Sequence, residues 1–230
     1  MTVDVIIPAL NEQGSIGLVL EALPRHLIRN VYVCDNGSSD RTADVASSHG
    51  AIVVCEPRRG YGSACLKALD AVARNDSLPN VVAFLDADFS DDPAELILLL
   101  DHLESKHLDL VVGSRVLGNA DPGSLTPVQR FGNALSTLLI RWLFGYRYTD
   151  LGPFRVIRYD RLLQLNMTDP DFGWTVEMQV KAAKLKMRVG ELPVRYRKRV
   201  GKSKVSGTLS GAMGAGSKIL YTIFKSYVKG

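Results

Sequence analysis

The 230-residue chain contains few cysteines, and they are not arranged as in disulfide-rich or metal-binding domains. Cys34, Cys55 and Cys65 have no Cys-x-x-Cys spacing, which argues against a disulfide framework and against a structural zinc site. The four histidines also lack the spacing of metal ligands or of a catalytic triad. We therefore expect buried free thiols in a protein of the cytoplasm, where thiols stay reduced.

Long apolar segments are absent as well. The chain has no run of about 18 consecutive apolar residues, so we expect no transmembrane helix. It begins directly with a strand pattern, and we expect no secretory leader. Hydrophobic residues make up 46% and charged residues 23% of the sequence, values typical of a soluble globular protein. We predict one domain over residues 1–217 and a C-terminal extension over residues 218–230.

Positive charge is missing from the middle of the chain and concentrated near its end. Residues 75–105 contain several acids and no Lys or Arg, whereas residues 181–204 contain ten Lys or Arg and one acid, Glu191. A basic surface of this kind indicates a phosphate group, a nucleic acid or an anionic membrane as partner. Only Tyr196 is available to stack on bases within residues 195–204, so we predict no nucleic-acid binding.

Two glycine-containing segments lack part of the phosphate-binding motif that each suggests. Gly201-Lys202-Ser203 ends like a P-loop, but Tyr196 stands where the motif requires its first glycine. Gly60-Tyr61-Gly62 follows the third predicted strand and lacks the third glycine of a dinucleotide-binding fingerprint. Neither segment by itself therefore identifies a nucleotide site.

Strand and helix patterns alternate regularly through the first half of the chain. The predicted strands cover residues 4–9, 31–35, 52–55, 81–85 and 108–114, and the predicted helices cover residues 16–23, 41–48, 63–74 and 93–103. This alternation predicts an α/β fold with a mainly parallel, Rossmann-like central sheet flanked by helices.

The pattern loosens after residue 115. We predict helices over residues 127–144 and 174–185, a short strand at 156–157, and a strand over 188–196 that Pro193 interrupts. Residues 200–216 are rich in glycine and serine and predict a mobile loop. Residues 218–229 have apolar side chains at helical spacing with lysines on another face, which predicts an amphipathic basic helix.

Two predicted strands end in aspartate. Asp35 closes the second strand, and the fourth runs directly into Asp86-Ala87-Asp88. Ligands of open α/β sheets bind beyond the carboxyl ends of the strands. Residues i and i+2 of an extended segment point the same way, so Asp86 and Asp88 could hold one hard cation between them. The alternative is that both aspartates only cap and solvate a loop between strand and helix.

Several motifs together indicate a family. They lie in residues 7–12, 35–42, 59–62, 86–88, 113–115, 150–155 and 199–204. In this order and spacing, the chain resembles the inverting glycosyltransferases of family 2, which have the GT-A fold. Within that family it is similar to the dolichyl-phosphate mannose synthase branch of polyprenyl-phosphate glycosyltransferases. The resemblance implies a nucleotide-binding half over residues 1–115 and an acceptor-binding half over residues 116–217.

The resemblance also implies roles for individual residues. The residues that match donor nucleotide contacts are Pro8, Leu10, Glu12, Asp35, Arg59, Gly60 and Asp86. Asp86 and Asp88 match the acids that hold Mg²⁺ or Mn²⁺ together with the donor diphosphate. The cations expected near the donor and acceptor phosphates are Arg115, Arg199, Lys202 and Lys204. One departure is Ser90, since mannose synthases often have a metal-binding Gln there.

The implied reaction is transfer of a hexose from a GDP- or UDP-sugar, of the GDP-mannose or UDP-glucose type, to a polyprenyl phosphate. A lipid-phosphate acceptor implies peripheral contact with a membrane, for which residues 218–230 are the candidate. Packing of that segment on the domain, or in a homodimer, is the alternative.

A phosphate acceptor is already ionised near neutral pH and needs no strong base, whereas a hydroxyl acceptor needs one. Glu177 and Asp150 are the candidate bases for a soluble or lipid hydroxyl acceptor. The structural alternatives for Glu177 are an acid on the helix surface or an ion pair with Arg155 or Arg199, and the alternative for Asp150 is an Asx-turn. A nucleotide-sugar-binding protein without catalysis is a third possibility.

Overall fold

Seven strands and eight α-helices make up the fold of the computed structural model, which describes residues 1–201 and 209–228. The strands are β1 (Val3–Ala9), β2 (Ile28–Asp35), β3 (Ile52–Cys55), β4 (Val81–Phe84), β5 (Leu110–Ser114), β6 (Arg155–Arg158) and β7 (Val189–Pro193). The helices are α1 (Ile16–Ala22), α2 (Thr42–Ser48), α3 (Tyr61–Ala73), α4 (Leu96–Ser105), α5 (Pro127–Phe144), α6 (Tyr159–Leu165), α7 (Trp174–Lys184) and α8 (Leu209–Val228).

All seven strands belong to one sheet in the order β3-β2-β1-β4-β6-β5-β7. Only β6 runs against its neighbours β4 and β5, and every other pairing is parallel. The predicted mainly parallel α/β sheet is therefore confirmed. Because β1, β2, β4 and β5 run in one direction, their carboxyl ends meet at one edge of the sheet.

Helices cover both faces of the sheet, as the apolar runs of the central strands require. In β1, Val5 and Ile7 pack into the core that α1, α2 and α4 cover, whereas Ile6 packs into the core beneath α3, α6 and α7. Each such fully buried side chain contributes about 1.5–3 kcal/mol relative to exposure. The sheet edge that carries the strand ends is thus held on a rigid, doubly covered layer.

The predicted bounds of α5 are confirmed at both ends. Thr126 and Gln129 form a capping box, and Pro127 occupies the first turn, where its missing N–H costs nothing. Gly145 ends the helix with a left-handed backbone at φ +70°. Ile140 of α5 packs with Ile223 of α8 in a third apolar cluster.

The C-terminal helix is longer than predicted. α8 begins at Leu209, so the prediction of a loop through residue 216 and of a helix starting at 218 is wrong there. The glycines in this stretch lower helix propensity. Packing of α8 against α5 and α7 outweighs that preference, since tertiary contacts supply most of the stability of a helix in a folded protein.

One helix was not predicted, and two smaller predictions are also wrong. α6 was not predicted, because its buried side chains, Tyr159, Leu162 and Leu165, give too short a pattern to identify a helix. β7 ends at Pro193, which cannot donate to the ladder, and does not continue to residue 196. All three thiols are free, but Cys55 is exposed because it ends a strand at the sheet edge.

Candidate active site

The predicted donor-site residues surround one cavity of about 290 Å³ beyond the carboxyl ends of β1 and β4. Those that line it are Pro8, Leu10, Glu12, Arg59, Gly60, Asp86, Asp88 and Arg199. Asp35 is not among the lining residues. Its Oδ1 accepts a hydrogen bond of 3.2 Å from the backbone N–H of Ser38, in the turn after β2.

Asp86 is held at the floor of this cavity, two residues after β4 ends. Its Oδ1 is buried without a hydrogen-bond partner among the described residues. Burial, and next the negative charge of Asp88, raise the pKa of Asp86 to about 7. A cation bound at Asp86 would offset both the burial of its carboxylate and the negative charge of Asp88.

The two carboxylate oxygens of Asp88 have different partners, Ser90 for one and the Arg199 guanidinium for the other. Its Oδ1 accepts hydrogen bonds from the backbone N–H and the hydroxyl of Ser90, at 2.9 and 2.6 Å. Its Oδ2 lies 3.2 Å from a guanidinium nitrogen of Arg199, and that guanidinium also donates to Glu12 at 2.6 Å. Ser90 therefore orients Asp88, and Arg199 bridges two acids of the cavity.

The two aspartates fit a hard divalent cation. Carboxylate oxygens are the ligands that Mg²⁺ and Mn²⁺ prefer, and Asp86 offers a buried oxygen with no partner among the described residues. Within the part of the chain that the structure describes, no group of three or more His, Cys, Asp or Glu forms a metal site by itself. Donor phosphates and water would have to complete the shell.

The loop after β3 is tied to the turn after β2 by one side chain that the sequence did not single out. Asn36 donates to the carbonyl oxygens of Glu56 and Arg58 at 2.9 and 2.8 Å, and accepts from the N–H of Gly60 at 2.8 Å. Gly60 has φ +142°, a conformation that favours glycine. This network presents Arg59 and Tyr61 to the cavity.

Asp91 is a further acid near the site that sequence reasoning missed. Both of its carboxyl oxygens are buried and have no hydrogen-bond partner among the described residues. Burial, and next the charge of Asp86, raise its pKa well above the ordinary value. Burial without a partner therefore favours the neutral form of this carboxyl.

A second, larger cavity of about 660 Å³ lies alongside α5. Its cationic lining residues are Arg115, Arg130, Arg141 and Arg147. Arg130 and Arg141 are eleven residues apart on α5, three turns of helix, so both face the cavity. That spacing was readable in the sequence. Only the tertiary structure brings Arg147 and Arg115 to the same cavity.

Asp150 and Arg115 form a closely matched ion pair in the wall of this second cavity. The Arg115 guanidinium donates to both carboxylate oxygens of Asp150 at 2.7 Å, and its backbone N–H donates to Oδ2 at 2.8 Å. The guanidinium also lies 5.1 Å from the ring centroid of Tyr196. With both oxygens engaged, Asp150 is better placed to orient Arg115 than to accept a proton.

Next to the arginine-lined face, α5 exposes large apolar side chains. Phe131 is 70% and Trp142 79% exposed, and Leu138 lies with them on one side of the helix. α8 adds Tyr221, Phe224 and Tyr227, which are also exposed. Among residues 1–201 and 209–228, no helix combines the length and apolar character needed to cross a bilayer.

Glu177, the other candidate base, lies in the first turn of α7 and is buried. It pairs with Lys181 at 2.8 Å, so both structural alternatives, a surface position and a pairing with Arg155 or Arg199, are wrong. Arg155 instead donates to backbone carbonyl oxygens, including that of Thr175. Lys202 and Lys204, two of the predicted phosphate contacts, lie outside the described residues.

Comparison with known proteins identifies the family of the chain. Residues 4–165 match the family model of glycosyl transferase family 2. An uncharacterized glycosyltransferase of Mycobacterium tuberculosis is 41% identical over 214 residues, covering 92% of this chain and 93% of that protein. A dolichyl-phosphate hexose transferase of Haloferax volcanii is 30% identical over 210 residues, covering 90% of this chain and 88% of that protein.

The fold has solved counterparts. Glucosyl-3-phosphoglycerate synthase of Mycobacterium tuberculosis, crystallised with Mn²⁺, UDP-glucose and phosphoglyceric acid, superimposes with a TM-score of 0.76 at 21% identity. The match covers 98% of this chain and 79% of that one. At 21% identity this similarity shows that the two proteins share a fold, and it does not extend to substrates. With a family match that spans more than half of the chain, the protein belongs to glycosyl transferase family 2 and is a glycosyltransferase of GT-A fold.

Proposed function

We propose that the protein transfers a hexose from a nucleoside diphosphate sugar to a polyprenyl phosphate. The observation that carries this proposal is the arginine-lined cavity beside α5. Arg115 is one of its lining residues, and the exposed side chains of Phe131 and Trp142 lie next to it on α5. Arginines suit a phosphate group, and the neighbouring apolar surface suits a lipid chain. The dolichyl-phosphate acceptor of the Haloferax relative supports the same class of acceptor.

The donor would bind in the smaller cavity, with its diphosphate at Asp86 and Asp88. These two carboxylates would hold Mg²⁺ or Mn²⁺, which neutralises the negative charge that develops on the leaving diphosphate. Arg199 lies 3.2 Å from Asp88 and adds fixed positive charge at the same place. Pro8, Leu10, Arg59 and Gly60 would enclose the nucleotide. Inversion needs a single in-line displacement and no covalent intermediate.

The state of the two candidate bases favours a phosphate acceptor over a hydroxyl. Both carboxylate oxygens of Asp150 accept hydrogen bonds from Arg115, and those of Glu177 are similarly occupied. A phosphate near neutral pH is already an anion and can attack without a base. A hydroxyl acceptor would require one of these carboxylates to change partners first.

The test is a transfer assay with UDP- and GDP-hexoses, Mn²⁺ or Mg²⁺, and three acceptors: undecaprenyl phosphate in detergent, phosphoglyceric acid, and water alone. We expect a glycolipid from the first acceptor only. Asp88→Ala should lower that rate by about a hundredfold or more, because it removes a metal ligand from the site of developing charge. Transfer to phosphoglyceric acid would favour a small hydroxyl acceptor. Nucleotide binding without transfer or hydrolysis would favour a binding protein.

A further inference from the structure

The carboxylate of Glu177 is fully engaged in holding one segment of the chain. It accepts hydrogen bonds from the N–H of Thr168 at 3.1 Å, from the Thr168 hydroxyl at 2.8 Å and from the N–H of Asp169 at 2.8 Å. Lys181 pairs with it at 2.8 Å. Burial would raise the pKa of Glu177, but the hydrogen bonds from Lys181, Asp169 and Thr168 outweigh burial and lower it.

The segment that Glu177 holds, residues 168–173, packs directly on the loop that carries Arg59. The N–H groups of Gly62 and Ser63 donate to the carbonyl oxygens of Asp171 and Pro170, at 3.2 and 2.8 Å. A Cβ atom at Gly62 would overlap the carbonyl oxygen of Asp169. The two backbones therefore fit together as one unit, in which a shift of either moves the other.

This unit forms part of the wall of the donor cavity. Asp171 and Phe172 line the cavity together with Pro8 and Leu10, although they come from the half of the chain that the resemblance assigned to the acceptor. A second anchor holds the same segment from the other side, where Asp169 accepts from Thr222 at 3.4 Å and pairs with Lys218 at 3.4 Å, both on α8.

We propose that Glu177 is a positioning residue for the nucleotide donor, which acts by fixing residues 168–173 against the Arg59–Gly62 loop. This inference rests on the proposed donor site and assigns Glu177 a role other than that of a base. A base needs an oxygen that faces the acceptor and an affinity for protons. The oxygens of Glu177 are instead directed at backbone N–H groups and a lysine.

The test compares Glu177→Gln with wild type in nucleotide binding without an acceptor. UDP and GDP are titrated into the protein with Mn²⁺ by calorimetry, and transfer is then measured at saturating donor. We expect Kd for the preferred nucleotide to rise about tenfold, because the amide loses the Lys181 pair and keeps one acceptor oxygen. At saturation kcat should stay within about threefold of wild type, with the same pH profile.

The matched control is Asp109→Asn, which removes the charge of a second buried carboxylate, one that pairs with Arg188 and lies at the amino ends of the strands, away from the cavity. The Asp109→Asn variant should have a lower melting temperature and an unchanged Kd for the nucleotide. It therefore distinguishes a loss of donor positioning from a general loss of stability. Should Glu177→Gln not fold, Thr168→Val removes a single donor to Glu177 and should raise Kd about threefold. An unchanged Kd with kcat lowered a hundredfold would overturn the proposal in favour of a base. Wild type that binds neither nucleotide would overturn the donor site itself.

Discussion

At the residue scale, Arg199 places a positive charge beside two acids of the cavity proposed for the donor. Its guanidinium connects Glu12 and Asp88, acids that come from the ends of two neighbouring strands. Without a divalent cation this contact neutralises Asp88. With one, the same guanidinium repels the ion at short range and attracts the donor diphosphate. Arg199 should therefore have opposite effects on the binding of metal and of donor.

Replacement of Arg199 by Ala should separate these two effects. We expect Mn²⁺ alone to bind about fivefold more tightly, because a positive charge next to Asp88 is removed. Transfer should fall by about a hundredfold, because fixed charge at the leaving group is lost. Mn²⁺ titration followed by electron paramagnetic resonance measures the first effect, and the transfer assay measures the second.

Arg195→Ala is the charge-matched control, since Arg195 is exposed and donates through its backbone N–H to Glu95. It should leave Mn²⁺ affinity unchanged. Weaker Mn²⁺ binding by the Arg199 variant would contradict the assignment, since it would mean that Arg199 supports the metal site and does not compete with it.

At the element scale, one carboxylate joins three elements at the edge of the sheet opposite the site. Asp109 precedes β5 and accepts from the Arg188 guanidinium at 2.8 Å and from the Arg188 N–H at 2.8 Å, just before β7. Arg161 of α6 lies 3.4 Å from it. Hydrogen bonds from Arg188 lower the pKa of Asp109, and burial opposes that effect.

The lowered pKa predicts how stability depends on pH. The folded state binds a proton at Asp109 less readily than the unfolded state does. The stabilisation is therefore complete above about pH 4, the unfolded pKa, and is lost as the pH falls through the folded pKa below it. Asp109→Asn should thus have a lower free energy of unfolding than wild type at pH 7. The difference between the two proteins should become smaller as the pH is lowered to 3. Urea denaturation at both pH values measures this, and a deficit that does not change with pH would contradict it.

At the scale of the whole molecule, the arginine-lined cavity and the exposed apolar side chains lie on neighbouring faces of α5. Arg130 and Arg141 face the cavity, whereas Phe131 and Trp142 face outward. A lipid phosphate in a bilayer presents an anionic head above an apolar chain, and this surface has the matching arrangement. We infer that α5, together with the exposed aromatic side chains of α8, is the face that meets the membrane.

Vesicle flotation tests this orientation. Wild type should float with vesicles that contain an anionic lipid, and the double variant Phe131→Ser, Trp142→Ser should float several-fold less, because apolar area no longer enters the interface. Leu163→Ser on α6 is the control, since it removes an apolar side chain of 59% exposure from another face. Equal losses for the control and the double variant would argue against a specific membrane face.

Sequence reasoning worked where the deciding interactions are local. The alternation of apolar strands with helices predicted the sheet and α5, because periodicity and capping depend on residues within a few positions of one another. It failed for α6, because burial of its side chains against distant elements stabilises a helix with a weak local signal. It also failed for the bounds of α8, a helix that packs against α5 and α7.

The sequence by itself determined that Asp86 and Asp88 follow a buried strand, because that depends on a local apolar run. The two aspartates lie beyond β4, where the chain enters a turn and is not extended as expected, so only the structure fixes where each carboxylate points. Only the tertiary structure decided which charges meet. Arg199 pairs with Glu12 across 187 positions, and Asp150 engages Arg115 across 35. The same holds for Glu177, whose hydrogen bonds fix a segment that packs on a loop about 110 residues earlier in the chain. Partners of this kind are chosen by how elements pack in three dimensions, a choice that no local pattern in the chain encodes.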